Sequence, residues 1–83
     1  DNGLLELVAG PDGRVIKEID KDPNSPGFSK PLREYTYAGD KIVGVTSYRY
    51  LGKQTEIVIA RVSYKPDGSV DRFEQSSNFE PAR

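Results

Sequence analysis

The chain has 83 residues, with 12 basic and 13 acidic side chains and neither Cys nor His. Their absence excludes disulfides, zinc-thiolate sites and any nucleophile activated by histidine. The balanced charge and a pI near 5.4 disfavour a surface that neutralises many phosphates, so we do not expect extensive nucleic-acid binding.

A chain of this length forms one small domain whose hydrophobic core is limited in size. No apolar run approaches the roughly 20 residues of a membrane span. We expect no cofactor. The chain begins with Asp1, which we interpret as a processed product or a fragment of a larger or exported protein. The lack of Cys and Met favours an exported or cell-surface location, although the cytoplasm also fits.

Two apolar runs flank a Gly-Pro-Asp-Gly sequence at residues 10–13. Pro sets φ for a type I turn and Gly takes the left-handed position, so this pattern predicts a β-hairpin. The three-residue loop that such a turn favours sets Glu6 opposite Glu18. A four-residue loop sets Glu6 opposite Lys17, and we prefer it because opposite charges then meet. A short helix over residues 4–9 is the alternative.

Residues 21–31 contain three of the six prolines and predict a long loop without a strand. Asp20, Asp22 and Asn24 match the first three ligand positions of a calcium loop. The Gly and the bidentate Glu of that motif are missing, so we interpret the segment as a polar loop rather than a metal site.

A two-residue turn at Gly39-Asp40 begins the central region. It pairs Tyr37 with Ile42 and Tyr35 with Gly44. An aromatic ring opposite a strand glycine covers backbone that would otherwise be exposed. The sequence therefore predicts that Tyr35 lies over Gly44.

A second turn at Gly52-Lys53 predicts a longer hairpin, in which apolar residues meet apolar residues and Arg49 faces Glu56. The sequence Lys65-Pro66-Asp67-Gly68 then repeats the first turn, and its three-residue form sets Tyr64 opposite Val70. We expect that register to continue without interruption along a last strand from Ser69 to Gln75.

These segments predict an all-β fold, a small antiparallel meander of about six strands that forms either a curled sheet or a small open barrel. Four hairpin turns connect it, at Gly10–Gly13, Gly39–Asp40, Gly52–Lys53 and Lys65–Gly68. The expected organisation of the single domain 1–83 is an N-terminal hairpin (4–20), a Pro-rich loop (21–31), a four-stranded meander (32–75) and a frayed tail (76–83).

Alternation of side chains assigns two faces to the central strands. The predicted tyrosine face carries Tyr35, Tyr37, Ile42, Thr46, Tyr48, Tyr50, Ile57 and Ile59. The predicted aliphatic face carries Val43, Val45, Leu51, Val58, Ala60, Val62 and Tyr64. Tyrosine combines apolar area with a polar tip, so we expect its face to meet a partner. The candidate binding residues are Tyr35, Tyr37, Tyr48, Tyr50, Arg49 and Arg61.

The segment from Tyr35 to Thr46 and the two Pro-Asp-Gly turns resemble the tyrosine-aspartate (YD, or RHS-type) repeats of bacterial surface and toxin-encapsulating proteins. Paired tyrosines, a turn, a basic residue, aliphatic residues and a Thr follow one another in this segment, as they do in the repeat unit. The Tyr-Asp dipeptide is absent and the spacing is irregular. The resemblance implies a structural hairpin array and no catalytic residues.

The sequence favours a non-enzymatic protein-binding or structural module that contacts another protein, a neighbouring domain or a second copy through a sheet face or edge. The alternative is a single-stranded nucleic-acid or carbohydrate binder that uses the tyrosines together with Arg49 and Arg61. An enzyme would require a carboxylate pair such as Glu34 with Glu56 or Asp71 held in a cleft, and an open meander offers little cleft.

Overall fold

The computed structural model describes residues 4–79 and confirms the all-β antiparallel meander. Its strands are β1 (Leu5–Ala9), β2 (Val15–Asp20), β3 (Pro31–Ala38), β4 (Lys41–Leu51), β5 (Gln54–Tyr64) and β6 (Val70–Ser77). Each strand pairs with the strands next to it in sequence. The described residues contain no helix that is long and apolar enough to cross a membrane.

The sheet stays open, with β1 and β6 as its two edges, so the small barrel does not form. The molecule measures 44 × 41 × 19 Å, as expected for a sheet of one layer. Within residues 4–79 no apolar side chain is buried, and Asp20 is the buried polar residue. A single layer has no second layer against which to enclose a core.

The first hairpin adopts the turn that its sequence predicts, but the preferred register is wrong. Gly13 has a φ of 86°, and the Gly10 amide bonds to the Arg14 carbonyl at 2.8 Å. An irregularity between Val8 and Ala9 then shifts the pairing by one residue, and Glu6 lies opposite Ile19. Neither loop length considered for the isolated turn includes this extra residue.

The last hairpin repeats this geometry, and it confirms that Tyr64 lies opposite Val70. The expected uninterrupted register is wrong, because an irregularity between Ser63 and Tyr64 shifts the pairing by one. β6 also runs to Ser77, beyond the predicted end, and Asn78 bonds to Ile57 through backbone and side chain. Residues 76–78 are therefore part of the folded sheet, whereas residues 80–83 lie outside the described residues.

The central hairpins show the predicted register from Gly44 to Leu51 against β5, including Arg49 opposite Glu56. Tyr37 lies opposite Ile42 as predicted. The pairing of Tyr35 with Gly44 is wrong, because the register shifts between Thr36 and Tyr37. Tyr35 lies opposite Val45, and Thr36 occupies the position across from the glycine.

This shift changes which residues share a face, since cross-strand partners lie on the same side and successive residues alternate. Tyr35 and Tyr37 move to the side that carries the aliphatic residues. We call this side the apolar face; it includes Leu7, Glu18, Arg33, Tyr35, Tyr37, Ile42, Val45, Arg49, Val58, Ala60, Val62, Tyr64 and Phe73. The opposite side, the polar face, includes Lys17, Glu34, Thr36, Gly44, Thr46, Tyr48, Tyr50, Ile57, Ile59, Arg61, Glu74 and Ser76.

Candidate functional site

The six candidate binding residues do not form one surface. Tyr48, Tyr50 and Arg61 lie on the polar face, whereas Tyr35, Tyr37 and Arg49 lie on the apolar face. The prediction of a single tyrosine face is therefore wrong. The error arises from the extra residue in β4, because a shift of one position moves a strand's side chains to the other side of the sheet.

Each of the five tyrosine hydroxyls donates a hydrogen bond within the sheet. Tyr35 bonds to Glu18, Tyr37 to the Val15 carbonyl, Tyr48 to Glu34, Tyr50 to the Pro31 carbonyl and Tyr64 to the Ile42 carbonyl. All five side chains are half-buried. In this arrangement the hydroxyl groups of the tyrosines tie neighbouring strands together.

On the apolar face, Glu18 joins two residues of β3. Its carboxylate lies 2.6 Å from the Arg33 guanidinium and accepts the Tyr35 hydroxyl at 2.7 Å. The hydrogen bond from Tyr35, followed by the hydrogen bond and the positive charge of Arg33, lowers the pKa of Glu18 despite the opposing effect of burial. The same bond raises the pKa of Tyr35. The Glu18 carboxylate is therefore stabilised in its ionised form, which accepts both hydrogen bonds.

On the polar face, Glu34 has a matching position. It accepts the Tyr48 hydroxyl at 2.7 Å and lies 3.7 Å from Lys17. This hydrogen bond, reinforced by burial and the nearby negative charge, raises the pKa of Tyr48 to about 12. The Tyr48 ring stacks against Tyr50, with 6.4 Å between centroids. Glu34 thus links β2, β3 and β4.

The long loop is ordered around Asp20. This side chain is 6% exposed and accepts hydrogen bonds from the Asp22 amide, at 2.9 Å, and from the Ser25 hydroxyl. Gly27 is buried against the Tyr50 ring, and Lys30 lies 5.1 Å from the centroid of that ring. Within residues 4–79 no group of acidic side chains could hold a metal ion. The acidic residues of this loop cap its own backbone.

The turn edge of the sheet carries a contact that occurs twice, which we call the hairpin tie. In the first, the Tyr37 hydroxyl donates to the Val15 carbonyl at 2.9 Å, and the Arg14 guanidinium lies 5.2 Å from the Tyr37 ring centroid. In the second, Tyr64 donates to the Ile42 carbonyl at 2.7 Å, and the Lys41 ammonium lies 5.1 Å from the Tyr64 ring centroid.

The two ties are related by one shift of 27 positions along the chain. In each, a tyrosine at the end of one strand bonds to the first or second residue of the strand before it. A cation next to that residue covers the ring, and such a contact stabilises by roughly 0.5–1 kcal/mol at an exposed site. Consecutive hairpins are thus joined in the same way.

A shallow hollow of about 590 Å³ lies where Gly44 leaves the polar face without a side chain. Its lining includes Thr36, Thr46, Ile59 and Arg61. Within the part of the chain that the structure describes, the Arg61 guanidinium forms no hydrogen bond or ion pair. The hollow therefore offers one unpaired cation beside several hydroxyl groups.

Comparison with known proteins finds no matching family model, curated protein or solved structure.

Arg49, the remaining candidate residue, lies 3.1 Å from Glu56 in an exposed cross-strand ion pair, a contact that normally contributes well under about 1 kcal/mol.

Sequence reasoning missed the acceptors that engage the tyrosines and the cations that cover three of the rings. It gave no such role to Glu18, Arg14, Lys30 or Lys41. A signal was present in the spacing, since the cation stands 23 positions before its tyrosine in both ties. A search for equal separations between basic residues and tyrosines would have found it.

Proposed function

We propose that the protein is a non-enzymatic structural or protein-binding β module that contacts a partner protein through its apolar face. The observation that carries this proposal is the absence of any buried apolar side chain within residues 4–79, although the apolar face is rich in aliphatic and aromatic residues. Extended apolar surfaces on soluble proteins are normally covered by a partner.

The distribution of exposure supports this assignment. Leu7 and Phe73, at the two ends of the apolar face, are 58% and 59% exposed. Between them, Val45, Val58 and Ala60 are only half-buried, by neighbours on the same side. A flat surface of this composition suits packing against a second sheet or an apolar protein surface, as sheets do in β-sandwiches about 10 Å apart.

A matched pair of variants tests this proposal. Val45 and Thr46 are adjacent in β4 and lie on opposite faces. We expect Val45→Lys to reduce concentration-dependent association in sedimentation velocity, and to reduce binding of an apolar fluorescent dye, whereas Thr46→Lys leaves both unchanged. Val45→Thr, which keeps the β-branched shape, gives a milder form of the same effect if the lysine variant does not fold.

The opposite result would count against the proposal. A chain that is monomeric at every concentration, binds no apolar dye and responds equally to changes at Val45 and Thr46 has no accessible apolar face. Protection of all tyrosines from solvent probes in that monomer would point the same way.

A second candidate function is binding of an acidic carbohydrate at the Gly44 hollow, with Arg61 as the anion-binding group and the nearby threonine hydroxyls as hydrogen-bonding groups. The unpaired Arg61 and the shape of the hollow favour it over single-stranded nucleic acid. The latter depends on aromatic rings open to stacking. Three of the five tyrosine rings instead have a Lys or Arg charge over them.

Filling the hollow tests this candidate. A Cβ atom at position 44 would lie 3.4 Å from Thr36 Cβ, an ordinary contact, so Gly44→Val should fold and occupy the space. We expect Gly44→Val and Arg61→Ala each to abolish chemical-shift changes caused by uronic-acid oligosaccharides. Absence of any change in the wild-type spectrum across that panel rejects carbohydrate binding.

A further inference from the structure

A third site for a hairpin tie lies at the β6 edge, but no tyrosine follows β6 in the sequence to complete the contact. Val70 begins β6 as Val15 begins β2, and both follow a Pro-Asp-Gly turn with the same hydrogen bonds. The Gly68 amide bonds to the Lys65 carbonyl at 2.8 Å, as Gly13 does to Gly10 at 3.0 Å. The register shift beside the turn is also the same.

The difference lies in what covers the residue. Val15 and Ile42, whose carbonyls accept a tyrosine hydroxyl, are half-buried, whereas Val70 is 57% exposed. Phe73, three residues later on the apolar face, is 59% exposed. β6 therefore presents the acceptor half of a hairpin tie together with uncovered apolar area.

The backbone of β6 is oriented to accept another strand. Asn78 donates its amide to the Ile57 carbonyl, which fixes the alternation of hydrogen bonds along β5 and β6. Residues 72, 74 and 76 then point their polar backbone groups toward β5, and residues 73 and 75 point theirs outward. The extra residue Asp71 interrupts this alternation. Ser69 faces β5, because its carbonyl accepts from the Lys65 amide, and Val70, the next residue, therefore faces outward. Such an edge can bind an extended segment by strand addition.

We propose that the β6 edge binds an antiparallel strand of another polypeptide that carries a tyrosine just before a tight turn, and that this tyrosine donates its hydroxyl to the Val70 carbonyl. The proposal deepens the proposed function, on which it rests, by naming the partner's chemistry. A second copy of the chain fits less well, because its own free edge strand has Ala9 at the tyrosine position.

A ten-residue peptide with the sequence of residues 31–40 is a suitable probe, because β3 carries Tyr37 in this arrangement. Titration of the full chain, followed by amide NMR spectra, should give saturable shifts and slower hydrogen exchange at residues 73 and 75. We expect the peptide with Tyr37→Phe to bind several times more weakly, and the peptide with Tyr37→Ala at least about tenfold more weakly.

Variants of the chain locate the binding. Gln75→Pro removes an outward amide without breaking a bond to β5, and Val70→Lys places a charge where the ring must lie. Both should abolish binding. The matched control Leu7→Lys places the same charge on the β1 edge, at an equally exposed residue, and should leave binding unchanged.

A gain of affinity gives the most specific test. Ser69 stands where the first two ties have Arg14 and Lys41, so the third position lacks its cation. Ser69→Arg keeps the backbone bond to Asp67, as Arg14 keeps its bond to Asp12. It should strengthen peptide binding about two- to fivefold by covering the tyrosine ring.

The proposal is overturned if no peptide binds up to about 1 mM, if Leu7→Lys abolishes binding, or if the Tyr37→Ala peptide binds as well as the unchanged one. These results are distinct from failure of the proposed function. If Val45→Lys loses dye binding and association while no peptide binds at β6, the proposal for the apolar face stands and the proposal for the β6 edge fails.

Discussion

β2 and β6 follow the same Pro-Asp-Gly turn with the same backbone hydrogen bonds, but they end in different surroundings. β2 is half-buried or buried along its length, whereas every residue of β6 is exposed. β2 lies between two strands, and its side chains bond to residues of β3. The turn therefore determines only the local backbone conformation. How far the strand after the turn is buried depends on whether a further strand pairs with its other edge.

The same comparison explains how a sheet without a core is held together. Side-chain contacts concentrate where β2, β3 and β4 meet, around Glu18, Asp20 and Glu34. β6 depends on its backbone ladder with β5, on Asn78, and on a few exposed polar contacts. Changes in the first region should therefore cost much more stability than matched changes in the second.

The largest effect is expected at Asp20. Asp20→Ala removes a buried acceptor of the Ser25 hydroxyl and the Asp22 amide, and should destabilise the fold by about 2–3 kcal/mol. Asp71→Ala, the same change on exposed β6, should stay within about 0.5 kcal/mol. Urea unfolding of the two variants measures the difference, and equal effects would contradict the comparison.

Gly27→Ala should follow, at about 1–3 kcal/mol. A Cβ at this position would lie 2.5 Å from Cδ2 of Tyr50, whose hydroxyl is held by the Pro31 carbonyl. In a Tyr50→Ala background the same change should cost almost nothing, so a double-mutant cycle isolates the clash. An unchanged cost in that background would show that the loop itself rejects the methyl group.

Tyr48→Phe should cost about 1 kcal/mol, because it removes the hydrogen bond to Glu34. The pKa of Tyr48 is raised from 10.0 to about 12, so its contribution is fully present below pH 10 and is lost as pH rises through 12. The gap in unfolding free energy between wild type and Tyr48→Phe should therefore hold at pH 8 and narrow at pH 11 to 12. A difference in unfolding free energy that does not change with pH would contradict this prediction.

Glu18 should give the smallest effect, and the change of that effect with pH falls in the acid range. Its pKa is lowered below 4.5 by the bonds from Tyr35 and Arg33, so its contribution is present above pH 4.5 and is lost as pH falls through the lowered pKa. Wild type should lose stability relative to Glu18→Gln across that window. Glu74→Gln, on exposed β6, should change unfolding free energy by less than about 0.5 kcal/mol.

Much of this fold was predictable because turn residues have local conformational requirements. All four hairpin turns, the complete β4–β5 register and the strand order follow from Gly, Pro and Asp positions and from cross-strand pairs. The three extra residues beside the turns at 10–13, 39–40 and 65–68 were not predictable in this way. A bulge has no distinct residue signature here, since the extra residues are Ile16, Val43 and Asp71, which share no chemical property that sets them apart from other strand residues.

The candidate site was harder to predict, because one extra residue reverses the side to which later side chains belong. The error at Val43 was enough to divide the predicted tyrosine face. Roles that depend on non-local pairing, such as Glu18 accepting from Tyr35, became visible only after the register was known.

The strict succession of strands also has a consequence for how the chain folds. Among the residues that the structure describes, no strand contacts any strand other than its neighbours in sequence, so the sheet contains no pairing between distant strands. Such an arrangement resembles a linear array of nearest-neighbour units, in which ordering can begin at any hairpin and spread outward. Loss of order should then proceed inward from the ends, with β1 and β6 exchanging their amide hydrogens first and β4 last.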